Sequence, residues 1–156
     1  ILNTIIFIFK LVHCSSLCSS SRVSRYKIYI QHRFTEIIIE VKHLSYADRL
    51  KKLGLWSLEE RRNRSDLIEV YKMLHGSTSI SYNNFFEIAS DKRTRGHSMT
   101  LVKHRFETKI RQQFFSEHVI NRWNSLDNDT VTASSLNSFK TRLNKLRYIK
   151  MGFFLD

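Results

Sequence analysis

Apolar residues recur at helical spacing along several stretches of the chain. In residues 58–75, Leu67, Val70, Tyr71 and Leu74 fall at i, i+3, i+4 and i+7, which predicts a helix with one apolar face. Phe115, Val119, Trp123 and Leu126 repeat the pattern within 108–126, and Phe114 and Ile120 widen that stripe. A further stripe of Leu136, Phe139, Leu143 and Leu146 predicts a helix from a Ser134 or Ser135 cap to Arg147, with Lys140, Arg142, Lys145 and Arg147 facing away. Residues 26–43 fit two patterns. Tyr26, Ile28 and Ile30 alternate, and Ile37, Ile38, Ile39 and Val41 are β-branched, as in a strand. Ile30, Phe34, Ile37, Ile38 and Val41 also form a helical stripe, and helix is the reading we favour.

The densest local signals lie in residues 44–76. Ser45 stands three residues before Asp48, and Ser57 three before Glu60, so each pair forms a capping box. Gly54 and Gly76 sit where the two helices, over 46–53 and 58–75, are expected to end in a left-handed residue. Residues 77–92 read as a polar loop anchored by Phe85 and Phe86, 127–133 as a turn, and 151–156 as an apolar, loosely docked tail. A short strand or hairpin is possible in 93–106, with Gly96 as its bend. The expected fold is mainly α: one small domain of four or five helices over residues 26–150, with a possible short β-hairpin near 93–106.

Residues 1–25 differ in character. An apolar run, Ile5 to Phe9, is broken by Lys10 and followed by serines. A transmembrane helix needs about 20 apolar residues, so no membrane span is expected there. The stretch reads either as a signal peptide over 1–18 or as a segment of degraded origin, disordered or frayed; the second is favoured. Ile1 in place of Met suggests a piece of a longer reading frame.

Composition sharpens the functional picture. Lys plus Arg number 26 against 14 Asp plus Glu, a formal net charge of +12, with a pI of about 10.0. Such a balance points to nucleic acid or another anionic surface as partner. Prolines are absent and glycines number 4, which suits helices. Cys14 and Cys18 stand alone, too few for a zinc site, and His97 and His104 match no common ligand spacing. No phosphate loop, Ser/His/Asp set or paired inward carboxylates appear, so no catalytic residue, metal, cofactor or small-molecule substrate is expected. Tyr46-Ala47-Asp48 imitates the start of a polymerase metal motif, but Arg49 stands where the second carboxylate would be, and a guanidinium there would repel Mg²⁺. Asp48 is better explained as a cap.

The candidate nucleic-acid contacts are Arg61, Arg62 and Arg64, near the positive end of a helix dipole, and Arg93, Arg95, His97, Lys103 and Arg105, interleaved with His104 and Phe106. The plain alternative for each group is a solvated basic surface.

Four blocks taken together resemble a known family. They are IQHRFTEIIIEVKHLSYADRLKKLGLWSLEERRNRSDLIEVYKMLHG, RTRGHSMTLVK, FFSEHVINRWNSL and SLNSFKTRLNKL, in that order over residues 30–147. The sequence resembles the region after the polymerase domain in the long reading frame of jockey-like, LINE-type non-LTR retrotransposons. The resemblance implies a non-catalytic C-terminal fragment of an endonuclease–reverse transcriptase polyprotein, an RNA-directed DNA polymerase, acting in nucleus or cytoplasm on retrotransposon RNA or target DNA. The family's catalytic carboxylates lie upstream, so none carries over. The chain departs from the family at Ile39 and Asp127, where proline is usual, and at His32 and His118, where arginine is usual. Two other readings stand beside this one: a helical protein-interaction module, and a small secreted basic protein.

Overall fold

The structure, a computed structural model, describes residues 21–89, 96–105, 108, 111, 114–150 and 152–154, with residues 21–27 by backbone alone. Among the described residues the architecture is mainly helical. The α-helices are α1 (Ser21–Ile37), α2 (Tyr46–Lys52), α3 (Leu58–Leu74), α4 (Phe115–Asn124), α5 (Asn128–Val131) and α6 (Leu136–Ile149), with a 3₁₀ turn at Tyr82–Asn84. Contacts divide the chain into two compact units, Ile1–Leu58 and Glu59–Asp156. The expectations for residues 1–20 lie outside the described residues.

In the first unit, α1 begins at Ser21, inside the segment expected to be frayed, and ends at Ile37, well short of residue 43. Three consecutive β-branched isoleucines, 37 to 39, crowd the helix and lower its propensity there. Turns replace it, with Val41 and Lys42 amides donating to the Ile38 carbonyl at 3.1 and 3.0 Å. The expected apolar stripe is therefore corrected. Of its members Ile30 and Ile37 are exposed and Val41 is buried as expected, while Gln31 and Thr35, outside the stripe, are buried. Side-chain bonds compensate the buried polar groups. Gln31 donates to the Trp56 carbonyl at 3.1 Å and accepts from the Tyr46 hydroxyl at 2.8 Å, and Thr35 donates to the His32 carbonyl at 2.8 Å.

The Ser45 cap and the two glycine stops hold, whereas the Glu60 carboxylate expected in the second capping box is bound by Arg147. The Asp48 amide donates to Ser45 Oγ at 3.3 Å, and that hydroxyl donates to the Asp48 carboxylate at 2.6 Å. Asp48 is thus a capping acid, as expected. Gly54 and Gly76 adopt φ of 65° and 64°. Behind each, the paired bonds of a Schellman motif close the helix: Leu55 to Leu50 and Gly54 to Lys51, then Ser77 to Lys72 and Gly76 to Met73.

The core of the second unit is built on Trp123 and Phe139, both fully buried, with Leu67, Val70, Tyr71, Val119, Val131 and Leu143 around them. Tyr71 stacks on Phe139 at 4.3 Å and donates its hydroxyl to the Ala133 carbonyl at 2.6 Å. The α4 helix starts at Phe115, because Phe114 is extended (φ −66°, ψ 145°) and 57% exposed; residues 109, 110, 112 and 113 of the expected helix lie outside the described residues. Residues 127–133 are more than a turn. Asp127 caps α5, its two carboxylate oxygens accepting from the Thr130 amide at 2.9 Å and hydroxyl at 2.8 Å. Burial alone would raise the Asp127 pKa, but the Thr130 bonds and nearby Arg142 leave it lowered. Ser135, not Ser134, caps α6, which continues two residues past Arg147. The tail is also firmer than expected. Phe154 is buried, its carbonyl accepts from Asn63 at 2.8 Å, and Arg122 donates to the Phe153 carbonyl at 3.2 Å.

Among the described residues of 93–106, Leu101 forms an antiparallel bridge with Ile88, earlier in the chain, and no hairpin. Its other edge is covered by a side chain: Asn124 Oδ1 accepts from the Leu101 amide at 2.9 Å and Asn124 Nδ2 donates to the Leu101 carbonyl at 2.8 Å. The carboxamide thus supplies what a neighbouring strand would. Replacing Asn124 by Ala is expected to leave both buried backbone groups of Leu101 unpaired and to lower stability by about 2 kcal/mol, checked by urea denaturation.

Candidate nucleic-acid interface

Each of the expected contact residues has a distinct place. Arg93 and Arg95 lie outside the described residues. Lys103 and Arg105 are exposed just beyond the Leu101 bridge. His97 is corrected to an interior residue, 5% exposed. Its Nε2 donates to the Trp123 carbonyl at 3.0 Å and its Nδ1 accepts from the Met99 amide at 3.3 Å, with its ring edge-on to the indole at 5.9 Å. Those two bonds fix one neutral tautomer, and burial leaves the ring no open face for a base. Trp123 itself donates from Nε1 to the Met99 carbonyl at 2.9 Å, the core role expected for it.

Arg61, Arg62 and Arg64 all lie on α3, but they do not form one cluster. Successive helical residues are about 100° apart, so Arg61 and Arg64 share a side and Arg62 faces elsewhere. Arg62 is exposed, and Arg61 and Arg64 are half-buried. Arg64 donates from Nε to Asn144 Oδ1 at 3.0 Å, and burial lowers its pKa. None of the three lacks an interaction within the chain. Glu59 and Glu60 occupy the first turn of α3 and offset the cost of cations at the positive end of the dipole. Glu60 in turn is gripped by Arg147, whose Nε and Nη2 each reach a carboxylate oxygen at 3.0 Å.

These bonds set the register of α3 against α6. Glu60 meets Arg147, Arg64 meets Asn144, and Tyr71 meets Phe139, so the two helices run antiparallel. The basic residues that sequence reasoning left out follow from this register. Lys140 is half-buried and Lys145 exposed, and Tyr148 stands 77% exposed. A signal for them existed: residues 131–155 carry Lys140, Arg142, Lys145, Arg147 and Lys150 and not one carboxylate.

No group of three or more metal-binding side chains occurs among the described residues, and no described helix is long and apolar enough to cross a membrane. His104, set beside His97 in the sequence, instead approaches Glu87 at 3.5 Å on the surface. Comparison with family models, with curated proteins and with solved structures returns no match to this chain.

One titrating contact ties α3 to α4. His118 Nε2 lies 2.9 Å from Asp66 Oδ2, and its Nδ1 lies 3.0 Å from the Phe114 carbonyl. Both neighbours are acceptors, so only the doubly protonated ring satisfies both. The Asp66 bond raises the His118 pKa against the opposing pull of burial and of Arg122. A raised folded value means stability that is fully present below the ordinary imidazole value of about 6.5 and is lost as pH rises through the elevated one. Urea midpoints are therefore expected to fall as pH is raised from about 6 through that elevated value. Asp66→Asn is expected to flatten that fall.

Proposed function

We propose that this chain is a non-catalytic, nucleic-acid-binding piece of a non-LTR retrotransposon reverse transcriptase, acting on element RNA or target DNA in nucleus or cytoplasm. The observation that carries the binding part is the charge: +12 overall, with Lys103 and Arg105 exposed and five cations without a carboxylate across residues 131–155. Surface cations in such excess repel one another, and a phosphate backbone relieves that repulsion while releasing its counterions. The origin part rests on the four ordered sequence blocks. Several of their shared positions have structural work within this chain: Leu67, Trp123, Leu126 and Phe139 in the core, and Asn124 on Leu101.

The test is a fluorescence-anisotropy titration of labelled RNA and DNA at two salt concentrations. Neutralising about six phosphates predicts a log–log slope near −5 on duplex DNA. No binding at low salt overturns the binding part. Nucleotide incorporation on a primed template, with purified protein and Mg²⁺, is expected to be absent, and its presence would overturn the non-catalytic part.

A further inference from the structure

The antiparallel register of α3 and α6 assembles a basic seam that neither helix shows alone. Asn144, exposed, bridges to Arg64 across the seam. On a helix the neighbours of a residue on the same side are those three and four positions away. For Asn144 they are Lys140, Thr141, Arg147 and Tyr148, and for Arg64 they include Arg61. The seam is thus lined by Arg61 and Arg64 on one helix and Lys140 and Tyr148 on the other, while Lys145, three residues before Tyr148, neighbours that residue on the outward side of α6. Arg147 is neutralised by Glu60, whereas Lys140 and Lys145 make no ion pair among the described residues. Tyr148 is 77% exposed, and its register puts it four residues after Asn144, on the same side of α6.

We propose that the α3–α6 seam is the binding surface for single-stranded nucleic acid, with Lys140 and Lys145 on phosphates and Tyr148 stacking an unpaired base. The proposal deepens the nucleic-acid reading above and rests on it. A row of cations alone would serve duplex and single strand alike. The exposed phenol ring is what favours the single strand, because only an unpaired base offers its face for stacking. RNA and DNA share this chemistry.

The experiment uses the full chain, a short labelled oligouridylate and an RNA duplex of the same length. Tyr148→Ala is expected to weaken oligouridylate binding about tenfold, with the salt slope and the duplex affinity unchanged. Tyr148→Phe, which keeps the ring, is expected to bind as the parent chain does. Lys140→Gln with Lys145→Gln is expected to flatten the salt slope by about 1.4 on the single strand. Melting temperatures of the Tyr148 variants are expected to match the parent, since the side chain is mostly in water. Unchanged oligouridylate affinity in Tyr148→Ala, an equal loss on duplex, or an unchanged slope in the lysine variant would overturn the seam while leaving the binding reading intact. A parent chain that binds neither probe would overturn both.

Discussion

The second unit depends on how Trp123 is held. Its ring is fully buried and lies 6.1 Å from Phe139, which in turn stacks on Tyr71, so one indole joins α4, α6 and α3. Large aromatic side chains bury more surface than any others, and a core this small has few alternatives to them. The indole brings a polar N–H with it, and that donor must be satisfied in the interior. Met99 supplies the carbonyl, and the Trp123 carbonyl receives His97. The segment 97–101 is therefore ordered by α4 rather than by a sheet, and the adjacent Asn124 completes its bonding.

That arrangement explains which features could be read from sequence and which could not. Caps and stops are local: Ser45, Asp48, Gly54, Gly76 and Ser135 depend on bonds spanning a few residues, so their spacing was enough. The apolar stripes of α4 and α6 were legible for the same reason. His97 was not, because its partners Trp123 and Met99 are set by tertiary packing; a histidine among arginines looks like a surface residue until the indole is placed. The failure in α1 is of another kind. Isoleucines 30 and 37 outscored Gln31 and Thr35 on hydrophobicity, yet Tyr46, Trp56 and His32 satisfy the polar pair and offset the cost of its burial. Periodicity counts apolar residues and cannot see a hydrogen bond from another element.

The candidate site was legible as a charge and not as a place. Arginines at 61, 62 and 64 form one cluster in a written sequence, but a helix spreads them round its axis. Lysines at 140 and 145 looked like the outward face of a separate helix. Only the antiparallel register, set by Glu60 with Arg147 and Arg64 with Asn144, makes parts of both sets neighbours. The information needed was a pairing across about eighty residues of chain, which no local pattern contains.

The fold uses some of its cations and leaves others over, and the difference has a thermodynamic consequence. Arg147 is neutralised by Glu60 in a half-buried bidentate pair, and buried Arg49 sits 3.6 Å from Glu36 and 3.3 Å from His32. Even so, the Nε of Arg49 has no hydrogen-bond partner. Residues 131–155 have no carboxylate at all. Folding brings the remaining cations closer together than they are in the unfolded chain, so self-repulsion opposes the compact state. A polyanion that binds only the folded arrangement removes that repulsion and stabilises the fold by mass action.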